Sequence, residues 1–203
     1  MIVAIDTYSL FNTNLDKESF LIEAIRNVFG VSAEDIDMSD YGKLFIRDFL
    51  RETLLKQGID IESIEAKMNV MLSEIEYTYM NFSGMSKLVK TDKHLAKGLE
   101  KFYKVASNKA ISIVLLSGEP LHIADVKLNK SSVDIARLVS KRYHANDFNS
   151  YKDELEAALK DTNIDMGIAA NDQLFNAFND KAIKAIKTAD LSSKELLNLI
   201  NRL

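Results

Sequence analysis

The chain begins with a short apolar segment that ends on a carboxylate. Residues 1–5 are all apolar, Asp6 follows them, and a polar turn through Thr7, Tyr8 and Ser9 comes immediately after. A continuous apolar run with a polar boundary predicts a strand that is buried on both faces. In open parallel sheets, ligands bind just beyond the carboxyl ends of such strands, so Asp6 is predicted to lie in a functional site. The structural alternative is a turn aspartate, which is common after a strand.

The rest of the chain alternates between helical and strand patterns. Apolar residues recur at helical spacing from residue 16 to about residue 79, with breaks at Gly30 and Gly58, which predicts several amphipathic helices. Later apolar runs predict buried strands at 111–117 and 164–170 and a short strand at 182–186, whereas residues 133–139 are ambiguous. Further helices are predicted at about 95–103, 121–128, 150–160, 173–179 and 193–203.

This alternation predicts an α/β fold with a Rossmann-like parallel sheet. We assign residues 1–14 and 95–203 to the α/β core and residues 15–94 to an inserted, all-helical cap subdomain. The oligomeric state stays open, because nothing in the pattern addresses it.

Composition narrows the classes of function. The chain has no cysteine, so disulfides, a thiolate nucleophile and cysteine metal sites are excluded. Its net charge of -4 argues against a nucleic-acid partner, since such proteins usually carry a positive excess on one face. No apolar run reaches the length of a membrane span, and the first strand leaves no room for a signal peptide, so we expect no membrane partner and a cytoplasmic location.

Three oxygen-bearing side chains follow three of the predicted strands. Asp6 ends the first strand, Ser117 ends a middle strand and Asp172 lies just past a late strand. Parallel pairing would bring all three to one edge of the sheet. Hard oxygen ligands suit Mg²⁺, a hydroxyl can hold a phosphate oxygen, and a carboxylate can act as a nucleophile. Ser117 has a structural alternative as the N-cap of the helix that follows Pro120.

At these motifs the chain resembles the haloacid dehalogenase-like phosphatases, over nearly its whole length. The resemblance rests on the first strand ending in Asp6, on the helical insertion, on the segment 115–118 (Leu-Leu-Ser-Gly) and on the segment 167–172 (Gly-Ile-Ala-Ala-Asn-Asp). The cap resembles the four-helix type of the phosphoglycolate phosphatase relatives. The resemblance implies a phosphomonoester hydrolase that acts on a small phosphorylated molecule and uses Mg²⁺.

The resemblance also implies roles for individual residues. Asp6 would be the nucleophile, Ser117 and a lysine would hold the phosphoryl oxygens, and Asp6 with Asp172 would hold Mg²⁺. Lys152, at the start of a helix, is the preferred lysine for this catalytic role, and Lys141 competes with it. The residues implied to contact the substrate are Tyr8, Ser9, Gly118 and Lys141.

Two positions depart from the family pattern. Tyr8 replaces the second carboxylate of the first motif, and a tyrosine hydroxyl is a poor proton donor near pH 7. Ile168 replaces an aspartate that would be a Mg²⁺ ligand. Loss of general acid–base help costs a factor of roughly 100 to 10,000. The sequence therefore predicts reduced or lost phosphatase activity.

Two alternatives stay open. Asp6, the segment 171–174 and the segment 183–188 also resemble PIN-type ribonucleases, for which Asp153, Glu154 or Glu156 would supply a further acid at a Mg²⁺ site. The other alternative is a non-enzymatic binding protein on the phosphatase scaffold, because catalytic groups can be lost while a core is kept.

Overall fold

A computed structural model describes residues 1–10, 18–84, 99–130 and 135–187. Five parallel strands form one sheet in the order β3-β2-β1-β4-β5. The predicted α/β class with a Rossmann-like parallel sheet is thereby confirmed. The strands are β1 (Ile2–Asp6), β2 (Ser112–Leu116), β3 (Val139–Tyr143), β4 (Met166–Ala169) and β5 (Ala185–Lys187).

Eight helices are described around this sheet. Three of them, α2, α3 and α4, lie within the segment that the sequence predicts as the cap, and they are called here the cap helices. The helices are α1 (Thr7–Leu10), α2 (Glu18–Phe29), α3 (Ile46–Lys56), α4 (Ile61–Gly84), α5 (Leu99–Asn108), α6 (Leu121–Lys130), α7 (Tyr151–Asp161) and α8 (Asp172–Asp180).

The central strands are buried on both faces, as their continuous apolar sequence predicts. In β1, Val3 and Ile5 face a cluster that contains residues of α5 and α6. Ala4 faces the other cluster, to which the cap helices, α7 and α8 contribute. Because side chains alternate along a strand, each strand supplies apolar groups to both layers.

One ambiguous segment takes a definite structure, and two strands differ from the prediction. The ambiguous segment contains a 3₁₀ turn at Ile135–Arg137, and β3 follows it. This strand is at the edge of the sheet and exposes Ser140, Lys141 and Arg142, so its sequence carries little apolar signal. The last strand starts later than predicted, because Ala182 adopts a left-handed backbone (φ 55°) and extends the turn after α8.

Other expectations fall on residues outside the described ranges. The predicted boundaries of the cap subdomain, at 14/15 and 94/95, lie there and stay a prediction, as does the C-terminal helix at 193–203. Within the described ranges, none of the helices has the length and apolar character needed to cross a membrane.

Candidate functional site

The ends of β1 and β2 bring Asp6 and Ser117 to the same edge of the sheet. Asp6 pairs in register with Leu116, and Ser117 is the next residue. Thr7 links the two strand ends, because its hydroxyl donates to the Ser117 carbonyl at 2.8 Å and lies 2.9 Å from the Ser117 hydroxyl. All three side chains are fully buried. Asp6 and Ser117 therefore lie together at the sheet edge, as predicted, and neither side chain is exposed to solvent.

Both carboxylate oxygens of Asp6 accept hydrogen bonds from the protein itself. Oδ1 accepts from the Ser9 backbone N–H at 2.5 Å, and Oδ2 accepts from the Ser9 hydroxyl at 2.8 Å and from the Ala170 N–H at 2.7 Å. Burial raises the pKa of Asp6 to about 6, although the donors from Ala170 and Ser9 oppose that rise. The carboxyl group thus joins β1, α1 and the end of β4.

Ser117 is also engaged within its own turn. Its hydroxyl lies 3.1 Å from the Glu119 carbonyl, to which it can donate, and 3.2 Å from the Glu119 N–H, from which it can accept. Its backbone N–H donates to the Tyr143 carbonyl at 2.8 Å. Ser117 thus stabilises the turn before α6, and it is not the N-cap of that helix that the sequence left as the alternative, because α6 begins only at Leu121.

Gly118 is covered by α7. Its N–H donates to the Glu154 carboxyl group at 3.2 and 3.4 Å from the two oxygens. Tyr151 packs so close to Gly118 that any Cβ there would overlap the phenol, and Gly118 has a positive φ of 62°. Glu154 is fully buried, and burial raises its pKa well above the usual value, with the nearby Asp6 charge acting in the same direction.

Tyr8 fills the position where the resemblance implies an acid. Its side chain is 8% exposed and lies edge-on to Tyr41, with ring centroids 5.8 Å apart. The ammonium of Lys127 lies 5.1 Å from the Tyr8 ring centroid. Burial, reinforced by the Glu119 charge, raises the pKa of Tyr8 well above its ordinary value. The phenol is therefore a still weaker proton donor than an exposed tyrosine.

Neither predicted phosphate-binding lysine extends into this buried site. Lys152 is exposed on α7, and the Lys141 ammonium lies 3.3 Å from the Asp161 carboxylate on the protein surface. A different lysine is buried close by. Lys127 is 2% exposed and contacts both oxygens of Glu119, at 2.5 and 2.6 Å.

The residues do not fit the Mg²⁺ site that the resemblance implies. The Asp172 side chain is 77% exposed and pairs with Lys187 at the end of β5. Ile168 is an apolar core residue, and the Asp6 oxygens already accept hydrogen bonds from Ser9 and Ala170. Among the described residues, no group of three Asp, Glu, His or Cys side chains is placed to hold a metal ion.

The cap helices reach this edge of the sheet directly. The Ile46 N–H, at the start of α3, donates to the Gly118 carbonyl at 3.0 Å. Phe45 lies edge-on to Tyr151, with ring centroids 5.1 Å apart. The Arg47 guanidinium donates to the carbonyls of Ala145 and Asn146 at 2.9 and 3.2 Å. Cap and core therefore share one packed interior over Gly118.

The buried charged residues were not predicted as a group, although the sequence holds a signal for them. Lys127 lies in α6 between the buried residues Ala124 and Leu128. Glu154 lies in α7 at the spacing of Tyr151 and Ala158, both of which are buried. A charged residue within the apolar stripe of a helix indicates a paired or functional group, because unpaired burial of a charge is costly.

Comparison by sequence finds no relative: no family model matches the chain, and no curated protein does. Comparison by structure finds proteins with a similar fold. A hydrolase from Pseudomonas syringae superposes with a TM-score of 0.62 at 13% identity, covering 97% of this chain and 89% of that one. A haloacid dehalogenase-like family hydrolase from Streptococcus pneumoniae gives 0.53 at 12% identity, covering 91% and 82%.

The chain has the haloacid dehalogenase-like fold. CbbY from Rhodobacter sphaeroides, whose structure was solved in complex with xylulose-(1,5)bisphosphate, shares this fold with a TM-score of 0.59 at 10% identity, covering 92% of this chain and 84% of that one. At such identities the likeness concerns the fold, and the side chains at the sheet edge have to be judged on their own geometry.

Proposed function

We propose that this chain is a haloacid dehalogenase-like protein that has lost phosphomonoester hydrolysis and uses the fold for binding. One observation carries the proposal: Asp6, the nucleophile that the resemblance implies, is fully buried with both oxygens hydrogen-bonded to Ser9 and Ala170. A nucleophile has to reach the phosphorus atom of its substrate, and this carboxylate has no exposed surface that a substrate could contact. The Asp6 carboxylate instead stabilises the turn after β1.

The surroundings of Asp6 support the same conclusion. Phosphoryl transfer depends on positioned positive charge and on proton transfer to the leaving group. Lys141 and Lys152 are exposed, Asp172 pairs with Lys187, and Tyr8 is a buried phenol with a raised pKa. The lysines, the second metal ligand and the general acid that the reaction needs are therefore displaced or replaced.

The proposal is tested by measuring phosphate release from p-nitrophenyl phosphate with and without Mg²⁺. We expect the native chain to release no more phosphate than Asp6→Asn, and no more than Asp37→Asn, which changes an exposed aspartate. Circular dichroism of each variant checks that it is folded. Turnover by the native chain that needs Mg²⁺, persists in Asp37→Asn and disappears in Asp6→Asn would establish the phosphatase alternative.

The ribonuclease alternative is less well supported. It needs several carboxylates around a metal ion. Of its candidate acids on α7, Asp153 is exposed, Glu156 is partly exposed and pairs with Lys181, and Glu154 is buried against Gly118. The described residues hold no cluster of three metal-binding side chains. We therefore expect no Mg²⁺-dependent cleavage of single-stranded RNA, which a fluorescent oligonucleotide assay measures.

Binding without catalysis is compatible with a cytoplasmic location, which we include in the proposal. The absence of cysteine and the ordinary balance of 47% apolar and 28% charged residues support it. A small phosphorylated molecule is the ligand class that the fold resemblance implies, and it would have to bind outside the closed edge around Asp6.

A further inference from the structure

Glu154 is an unusual residue to find beside this sheet edge. It projects from the first turns of α7 into the core with no exposed surface. Its carboxyl group accepts from the Gly118 N–H, at 3.2 and 3.4 Å, and Asp6 lies near enough to raise its pKa further. Two buried carboxyl groups close together cost folding free energy. A purely structural link between α7 and β2 would be made at less cost by a neutral side chain.

The Gly118 N–H, which donates to Glu154, is suited to binding an oxyanion. Gly118 follows the carboxyl end of a central parallel strand, where ligands of this architecture bind, and its backbone is left-handed. Backbone N–H groups in such turns bind phosphate and carboxylate oxygens. In this chain the oxygens come from the protein itself.

Tyr151 completes the cover from the same helix. Its ring is 2% exposed and fills the space directly over Gly118, and Phe45 packs against the ring from the cap side. The Tyr151 hydroxyl and the Asn171 amide nitrogen are buried, and neither makes a hydrogen bond of good geometry within the described residues. The space beside Gly118 is thus polar and filled by side chains of α7.

We propose that α7 carries a built-in occupant of an oxyanion site, in which the Glu154 carboxyl group takes the Gly118 N–H and Tyr151 closes the space above it. This inference rests on the proposed loss of hydrolysis and gives it a structural cause. It implies that removing the Glu154 carboxyl group creates a site for a small oxyanion, such as acetate or inorganic phosphate.

The test compares the native chain, Glu154→Ala and Glu156→Ala by ¹⁵N–¹H spectra during titration with acetate and, separately, with phosphate. Glu156 lies on the outer side of α7 and pairs with Lys181, so its variant is the matched control. We expect the Gly118 amide of Glu154→Ala to shift saturably, with an apparent Kd in the millimolar range. In the native chain and in Glu156→Ala we expect binding at least about tenfold weaker.

The outcomes separate this inference from the proposed function. Saturable shifts in Glu154→Ala alone support the inference, and acetate and phosphate arms tell whether the site takes carboxylates, phosphates or both. A folded Glu154→Ala whose Gly118 amide ignores both anions overturns it while leaving the proposed function intact. Hydrolysis by the native chain in the phosphate-release assay overturns the proposed function itself.

If Glu154→Ala does not fold, the native chain still decides. The inference then requires the Gly118 amide to exchange slowly with solvent and to stay unmoved by either anion, because Glu154 and Tyr151 cover it. Rapid exchange, or a saturable shift of this amide on addition of phosphate or acetate, would contradict the proposed occupancy.

Discussion

At the scale of single residues, Asp6 couples the stability of the fold to pH. Its pKa is about 6 in the folded chain, mainly because it is buried, against 3.8 for an ordinary aspartate. A carboxyl group with a raised folded pKa contributes stability that is fully present below pH 3.8 and is lost as the pH rises through 6. The difference corresponds to roughly 3 kcal/mol, and Glu154, whose pKa burial raises well above 4.5, adds a fall of the same sign that begins near pH 4.5.

We therefore predict that the free energy of unfolding falls between about pH 4 and pH 7, and that Asp6→Asn makes this fall smaller by roughly 3 kcal/mol while leaving the part that Glu154 contributes. Urea unfolding at several pH values measures both chains. The absolute stability of Asp6→Asn is a separate matter, since an amide cannot accept all three hydrogen bonds. A native chain whose stability rises over this range, or an Asp6→Asn chain with the same slope, would refute the assignment.

The buried pair of Lys127 and Glu119 gives a second prediction for single residues. Lys127→Met leaves the Glu119 carboxylate buried, and among the described residues its side chain then keeps the long contact from the Tyr41 hydroxyl at 3.3 Å. Removing one partner of a buried ion pair costs about 3–5 kcal/mol. We expect a loss of this size in urea unfolding.

The matched control is Lys181→Met, which removes the surface partner of Glu156. Surface ion pairs contribute little, so this change should leave the urea midpoint almost unchanged. Equal losses for Lys127→Met and Lys181→Met would show that the inner pair is no more important than an exposed one.

At the scale of elements, the seating of α3 on the core depends on Arg47. Its guanidinium is the donor to two carbonyls at residues 145 and 146, and its side chain is buried. Arg47→Met keeps the length of the side chain and leaves those carbonyls without this donor. We expect backbone amides of α3 to exchange with solvent at least about tenfold faster.

Arg51→Met is the control for this prediction, because Arg51 lies on the same helix and pairs with Asp48 and Glu65 near the surface. Hydrogen exchange followed by mass spectrometry measures both variants. If the two changes affect α3 equally, the contact to residues 145 and 146 does not hold the helix in place.

Packing between β4 and α8 gives a further prediction for elements. A Cβ at Gly167 would overlap the ring of Phe178, which is fully buried. Overpacking of this kind costs about 1–3 kcal/mol, so Gly167→Ala should be destabilised by that amount in urea unfolding. In the double variant, Phe178→Leu makes room for the methyl group added at residue 167. The loss of stability should therefore be smaller than the sum of the losses in the two single variants. Strict additivity of the two changes would contradict direct contact.

The sequence predicted the elements with strong apolar patterns and missed those without. The strands β1, β2 and β4 are buried on both faces and were readable from continuous apolar runs. The edge strand β3 exposes Ser140, Lys141 and Arg142, so pattern alone could not identify it. The burial of Glu154 was readable only in part, because its partner Gly118 lies 36 residues away and is set by tertiary packing.

At the scale of the whole molecule, the topology brings together only part of the set of residues that the sequence predicts as a site. Asp6 and Ser117 do meet at the sheet edge, as parallel pairing of β1 and β2 required. The functions assigned to Lys141, Lys152 and Asp172 came from resemblance, and all three side chains are exposed. A fold can keep its architecture while its site closes, since the core and the site depend on different side chains.

Asp6 is, in our proposal, a structural carboxyl group that does not accept a phosphoryl group. The most direct measurement is incubation of the native chain with acetyl phosphate and Mg²⁺, followed by intact-protein and peptide mass spectrometry. Loss of the acid at position 8 would slow breakdown of an aspartyl-phosphate, so an intermediate would accumulate if it formed. We predict an unmodified chain; one phosphoryl group on Asp6, absent from Asp6→Asn, would contradict the account.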